Sequence, residues 1–206
     1  IVLCSSEYLK EKVISRSGIN REVHIINNAI SLPQIRHFDS FPSKVQDAIN
    51  LLKSLKCSLL YIGTISQWFD FKLICEALDK KEDVQLVLIG PKDCDIPSHK
   101  QIHYIGSVER QYIYSLMEQA SALVMPFIVN ELIRSVNPVK MYEYIYMEKP
   151  IIAPHYGEME KFLPYINLYH DNDEFMSLVD QLSKSELQIS SENERLCGEE
   201  YMGKPL

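Results

Sequence analysis

Apolar residues along this chain follow two rhythms. Short continuous runs, as in strands buried on both faces, alternate with stretches in which apolar positions recur every three or four residues, as in helices lying on a core. Residues 1–4 form an apolar run, and Ser5 suits the N-cap of a helix over 8–17 with Leu9, Val13 and Ile14 on one face. Residues 22–26 predict a second short strand, closed by the turn signal Asn27-Asn28. Residues 29–41 read as a linker, and 43–55 as a helix on the spacing of Val45, Ile49, Leu52 and Leu55.

From Ser58 the alternation becomes regular. Strands are expected at 58–63, 84–91, 102–105, 122–127, 150–154 and 167–169. Helices are expected at 70–80, 109–120, 138–147 and 174–183, with a terminal helix at 192–201. Strands alternating with helices imply right-handed crossovers, so the fold class is α/β with a doubly wound parallel sheet. A strand and helix at the very first residues read as half of a repeat whose sheet extends upstream. Two domains are therefore expected to meet near Asn28, with 1–28 the end of one and 29–206 the other.

Composition narrows the function classes. The 206 residues are 46% hydrophobic and 24% charged, ordinary for a soluble globular chain, and the formal charge of −7 argues against a nucleic-acid or anionic-membrane footprint. Any basic site must be local. Five scattered cysteines with no C-x-x-C fit a reducing compartment and core thiols, and no apolar run reaches transmembrane length. The six histidines lack H-E-x-x-H spacing, and no serine has a G-x-S-x-G context. Neither a G-x-G-x-x-G nor a phosphate-loop G-x-x-x-x-G-K-[ST] occurs, which counts against dinucleotide enzymes and phosphate-loop NTPases.

The chemistry concentrates in residues 130–144. Asn137 suits an N-cap and Pro138 the first helical position, so a helix start with unpaired N–H groups at the positive end of the dipole is expected there. Such a start after a strand is a phosphate cradle, with Arg134 and Lys140 flanking it. Glu143 lies six residues beyond Asn137, roughly 9 Å along the axis. That depth suits a carboxylate holding a ribose whose diphosphate rests on the helix start; a solvated Lys140–Glu143 pair at i, i+3 is the competing reading. Gly63, at the end of a strand, can let the backbone of Thr64 approach a phosphate or can serve a bland turn. Glu131 binds sugar hydroxyls or sits in solvent, Arg134 meets a phosphate or a surface carboxylate, and Trp68 stacks on a base or fills space.

In this order the residues resemble the donor-binding C-terminal domain of GT-B fold glycosyltransferases, especially the retaining glycosyltransferase family 4. The matching pieces are Tyr61-Ile62-Gly63, Leu86-Val87-Leu88-Ile89-Gly90, Ile102-His103-Tyr104-Ile105-Gly106, Ala122-Leu123-Val124-Met125-Pro126, 137–143 and Lys149-Pro150-Ile151-Ile152-Ala153. Residues 3–12 look like the last βα unit of that family's N-terminal domain, and 26–30 like the crossing into the second. The resemblance implies a Rossmann-like C-terminal half, Glu143 on the ribose, the backbone of Val136, Asn137, Pro138 and Val139 as the diphosphate loop, and Glu131 near the donor sugar. Two features depart from the pattern. Eleven residues separate Glu131 from Glu143 where the family has seven, and Thr64 and Phe69 stand where the family carries a basic pair. Arg134 and Lys140 are the substitutes proposed for that pair.

The implied activity is transfer of a sugar from a nucleotide-diphosphate donor to a glycan or lipid-linked acceptor, retaining and metal-independent, with no cofactor. The acceptor would bind a largely missing N-terminal domain, so this fragment alone would transfer little. The implied location is cytoplasmic, with any peripheral contact to the inner face of a membrane made through that missing domain. Two alternatives stay open: a GT-B epimerase or phosphorylase, and a non-catalytic nucleotide-binding or interaction domain.

Overall fold

The computed structural model describes residues 1–17, 22–30 and 38–187. The expected terminal helix at 192–201 and the middle of the expected linker lie outside the described residues. The first segment comprises β1 (Val2–Cys4), α1 (Glu7–Ser17) and β2 (Val23–Ile25), the two strands pairing in parallel as a small sheet of their own. The hydroxyl that caps α1 belongs to Ser6 rather than Ser5: it accepts from the Leu9 amide at 3.2 Å and is itself fully buried.

The rest is an α/β unit around a six-stranded parallel sheet. Its chain order is α2 (Ser43–Ser54), β3 (Cys57–Ile62), α3 (Phe71–Lys80), β4 (Val84–Ile89), β5 (Ile102–Gly106), α4 (Ile113–Glu118), β6 (Ala122–Val124), α5 (Glu131–Arg134), α6 (Val139–Tyr146), β7 (Ile151–Pro154), β8 (Asn167–Tyr169) and α7 (Asn172–Ser183). Short 3-10 segments at Arg110–Tyr112 and Gly157–Tyr165 precede α4 and β8. The strand order is β5-β4-β3-β6-β7-β8, every neighbour parallel.

Periodicity explains the layers. All six residues of β3 are buried, and they divide by alternation: Leu60 and Ile62 join a core with α2, α4 and α6, whereas Leu59 and Tyr61 join one with α3 and α7. Asp70 caps α3 by accepting from the Leu73 amide at 2.9 Å, and Asp171 caps α7 from the Glu174 amide. The expected helix over 109–120 is shorter, because its first turn is 3-10. α5 replaces what the apolar pattern left as loop; Asn130 caps it by accepting from Ile133 at 3.0 Å.

One hydrogen bond ties the sheet to α6. Tyr144 is fully buried, and its hydroxyl accepts from the Ile62 amide at 3.0 Å, at the end of β3. Tyr144→Phe keeps the shape but leaves that amide unpaired in the interior. It is expected to cost about 1–3 kcal/mol, read as a lower urea midpoint with an unchanged slope.

Candidate functional site

β3 and β6 are neighbours, but the chain leaves them in opposite directions across the sheet. The connections that follow diverge, and in open α/β sheets a crevice opens beyond the carboxyl ends of such a pair. Gly63 ends β3 at this point. Its N–H donates to the Ile89 carbonyl at 2.8 Å, and a Cβ placed on Gly90 would fall onto the Gly63 carbonyl oxygen. Gly90 sits at φ +137°, so both space and conformation require glycine there. A Cβ on Gly63 would come within 2.9 Å of Lys140 Cε, so the lysine stem lies across the strand end. Thr64 beside it is exposed, and its carbonyl accepts from the Tyr61 hydroxyl at 2.8 Å.

Helix α6 starts one residue later than expected. Pro138, extended at φ −78° and ψ 107°, occupies the N-cap position and offers no side-chain cap. Asn137 is engaged elsewhere. It is 5% exposed, its Nδ2 donates to the Ser5 carbonyl at 3.0 Å and to Asn27 Oδ1 at 3.2 Å, and its carbonyl accepts from Asn28 Nδ2 at 2.7 Å. Its Oδ1 has no partner among the described residues. The expected N-cap is thus a clasp to the first segment, and the helix start keeps amides without a side-chain cap. Val136 offers its carbonyl to the Tyr156 hydroxyl at 3.4 Å, and Val139 is exposed at the tip.

Four residues beyond Val139, Glu143 is 5% exposed, and its Oε1 accepts from Arg110 Nη2 at 2.9 Å. The solvated Lys140–Glu143 pair is not what forms. Lys140 is half-buried; burial pulls its pKa below the ordinary value, Glu143 opposes that shift and Arg110 adds to it. Tyr114 stands in the same cluster, its pKa raised by burial first and then by the charge of Glu143. Two more lysines rim the adjoining strand ends: Lys44 Nζ donates to the Ser107 carbonyl at 2.7 Å, and Lys92 Nζ lies 5.3 Å over the exposed ring of Tyr104.

The remaining sequence-derived residues stand toward the first segment. Glu131 is exposed and accepts from Lys12 at 3.2 Å and from the Tyr8 hydroxyl at 3.4 Å; the hydrogen bond and charge of Lys12 hold its pKa below the ordinary value. Arg134 lines a cleft of about 560 Å³ with Tyr8, Asn27, His155, Tyr156 and Lys161, and neither Lys140 nor Glu143 lines it. The structure therefore brings Gly63, Val139, Lys140 and Glu143 together, and sets Arg134 and Glu131 on the side of α1. Trp68 packs against the core. Sequence reasoning missed Arg110, which opens the 3-10 turn before α4, 33 residues before Glu143, where helical spacing alone gives no sign of its partner. Among the described residues no cluster of three or more His, Cys, Asp or Glu could hold a metal, and no helix is long and apolar enough to cross a membrane.

No family model matches the chain. In sequence it is 25% identical over 184 residues to TuaH of Bacillus subtilis (strain 168), assigned as a putative teichuronic acid biosynthesis glycosyltransferase, covering 84% of this chain and 45% of that protein. In structure it is similar to Anabaena Alr3699/HepE in complex with UDP-glucose, with a TM-score of 0.73 at 12% identity over 98% of this chain and 59% of that one. The Escherichia coli trehalose-6-phosphate structure bound with UDP-2-fluoro glucose gives a TM-score of 0.66 at 10% identity, over 87% of this chain and 52% of that one. The fold is the Rossmann-like sheet of GT-B glycosyltransferases. The chain shares glycosyltransferase homology and spans about half the length of the relatives it matches.

Asn137→Asp tests the clasp. A carboxylate there faces the Ser5 carbonyl and Asn27 Oδ1, two acceptors with nothing to donate to them. Such burial raises the folded-state pKa above the unfolded value, so the destabilisation is full above the folded pKa and fades as pH falls through it toward the unfolded one. Urea unfolding at neutral and mildly acidic pH is expected to show that recovery, and Asn137→Ala is expected to lack it.

Proposed function

We propose that the chain is the nucleotide-sugar-binding half of a retaining, metal-independent glycosyltransferase of the family 4 type, which moves a hexose from a nucleotide diphosphate to a glycan or lipid-linked acceptor. In this reading residues 1–28 are the end of the acceptor-binding domain and 29–206 the donor domain. The observation that carries it is a buried carboxylate, Glu143, one turn inside a helix whose uncapped start opens at the sheet's switch point beside Gly63. A ribose on Glu143 would leave its diphosphate at that start, about 6 Å away at 1.5 Å per residue. The neighbours crystallised with UDP or UDP-glucose make UDP the first nucleotide to test.

In the reaction the bond between the anomeric carbon and the diphosphate oxygen breaks, and the electron pair stays on the diphosphate. Negative charge therefore grows on the leaving group as the acceptor hydroxyl oxygen bonds to the anomeric carbon, and the hydroxyl proton passes to the departing diphosphate oxygen. The α6 amides and Lys140 are aimed where that charge develops, and fixed dipoles there lower the barrier without reorganising. Lys140 suits the task because its desolvated ammonium has more to gain from an arriving anion than a solvated one. The sugar would point toward the Arg134 cleft, where Arg134 and Glu131 can meet sugar or acceptor hydroxyls.

Calorimetry of the chain with UDP, GDP and ADP is the direct test. UDP is expected to bind with a submillimolar Kd, and Glu143→Ala to weaken it about tenfold through loss of charge-assisted hydrogen bonds to the ribose. Failure of all three nucleotides to bind below millimolar concentration would remove the donor-binding reading, and unchanged UDP affinity in Glu143→Ala would remove the ribose role.

A further inference from the structure

We infer that Arg110 is a donor-binding residue that occupies Glu143 in the empty site and turns to the diphosphate when a ribose displaces it; this deepens the nucleotide-sugar reading and rests on it. The pair is asymmetric. The Glu143 side chain is 7% exposed, whereas that of Arg110 is 78% exposed at 2.9 Å from it. A guanidinium standing in water can leave without disturbing the core, but a buried carboxylate left with only the Tyr114 hydroxyl beside it is short of hydrogen bonds. Whatever takes the Glu143 oxygens must supply hydrogen bonds as it arrives. The vicinal hydroxyls of a ribose do this, since two neighbouring O–H donors match the two oxygens of a carboxylate.

Charge gives the second half of the inference. Ribose hydroxyls are neutral, so the displaced guanidinium leaves with its positive charge unmatched, and a nucleotide diphosphate brings the anion to match it. Glu143 and the first residue of α6 are separated by roughly 6 Å along the axis, within the swing of an arginine side chain. Lys140 already feels the charges of both Arg110 and Glu143, so the three groups and the helix start form one electrostatic unit. On the Gly63 side Thr64 and Phe69 are uncharged and Lys140 offers a point charge rather than a fork, while Arg134 lines the other cleft. A planar fork of N–H donors also suits paired phosphate oxygens better than a point charge does.

The two halves have opposite signs, and binding of uridine and UDP to Arg110→Gln separates them. Removing the competitor for Glu143 is expected to leave uridine affinity unchanged or up to about threefold tighter, while loss of a charged phosphate contact weakens UDP about tenfold. Arg110→Lys, which keeps the charge but not the fork, is expected to recover part of the UDP affinity. Parallel losses of uridine and UDP would mean that Arg110 only braces the loop, and would overturn the inference. Unchanged UDP affinity would overturn it as well. An unsubstituted chain that binds UDP no better than uridine, or neither, would instead overturn the nucleotide-sugar reading on which it stands.

Discussion

The candidate site depends on how α6 meets the end of β3. Parallel strands send successive amides to alternate sides, and since the Gly63 amide bonds to Ile89 on β4, the Ile62 amide faces the β6 side. There β6 pairs with β3 only at Leu59 and Leu60, because the two strands diverge at the switch point. The divergence that opens the crevice therefore strips an interior amide of its ladder partner, and the Tyr144 hydroxyl supplies the missing acceptor. An unpaired buried N–H is costly enough to fix the depth and rotation of the helix that relieves it.

That rotation places the charged groups. Residues one position apart on a helix are turned by about 100°, so with Tyr144 aimed at the strand, Glu143 faces Arg110 and Tyr114. Lys140, one turn earlier on the Tyr144 side, has its Nζ 6.0 Å over the Tyr144 ring and its stem across Gly63. A side chain at Gly63 would meet both the Tyr61 hydroxyl, at 2.8 Å, and the Lys140 stem, at 2.9 Å. The result is a carboxylate and an ammonium both partly stripped of water near an uncapped helix start, with one exposed guanidinium between them and solvent. Groups in that condition respond strongly to an arriving charged ligand, because little solvent screens it.

The sheet was legible in the sequence because burial on both faces leaves a plain mark: 84–89 is nearly all apolar, and the alternation of such runs with helical spacing permits little besides parallel crossovers. The placement of Glu143 was legible for a related reason, since helix geometry converts residue spacing directly into depth. Arg110 was not, because a salt bridge across 33 residues leaves no local pattern. Asn137 was misread as a cap because Asn before Pro satisfies every local rule for one, while its actual partners, Ser5 and Asn27, are more than a hundred residues away. α5 escaped notice because four residues are too few to show a period, and with it the turning of Arg134 toward the first segment. Ser6 displaced Ser5 for a tertiary reason too: its hydroxyl both caps α1 and donates to the Ser135 carbonyl at 3.0 Å.

The turn before α6 is polarised by these long-range contacts. Ser135, Val136 and Asn137 each present a carbonyl that is met by a protein donor, from Ser6, Tyr156 and Asn28 respectively. The negative ends of these peptide dipoles are thus occupied on the side of the first segment, and the helix start beyond Pro138 presents N–H groups with no side-chain cap. Such a loop cannot be completed by the six-stranded unit alone, since two of its three carbonyl partners come from residues 6 and 28. Glu158 strengthens the same seam, accepting from the Glu7 amide at 2.7 Å while Lys161 holds its other oxygen. Any shift of the first segment must therefore either break these partly buried hydrogen bonds or carry the 135–137 turn with it. Because only Pro138 separates that turn from the start of α6, the geometry of the proposed anion cradle is coupled to the position of the segment that precedes the sheet.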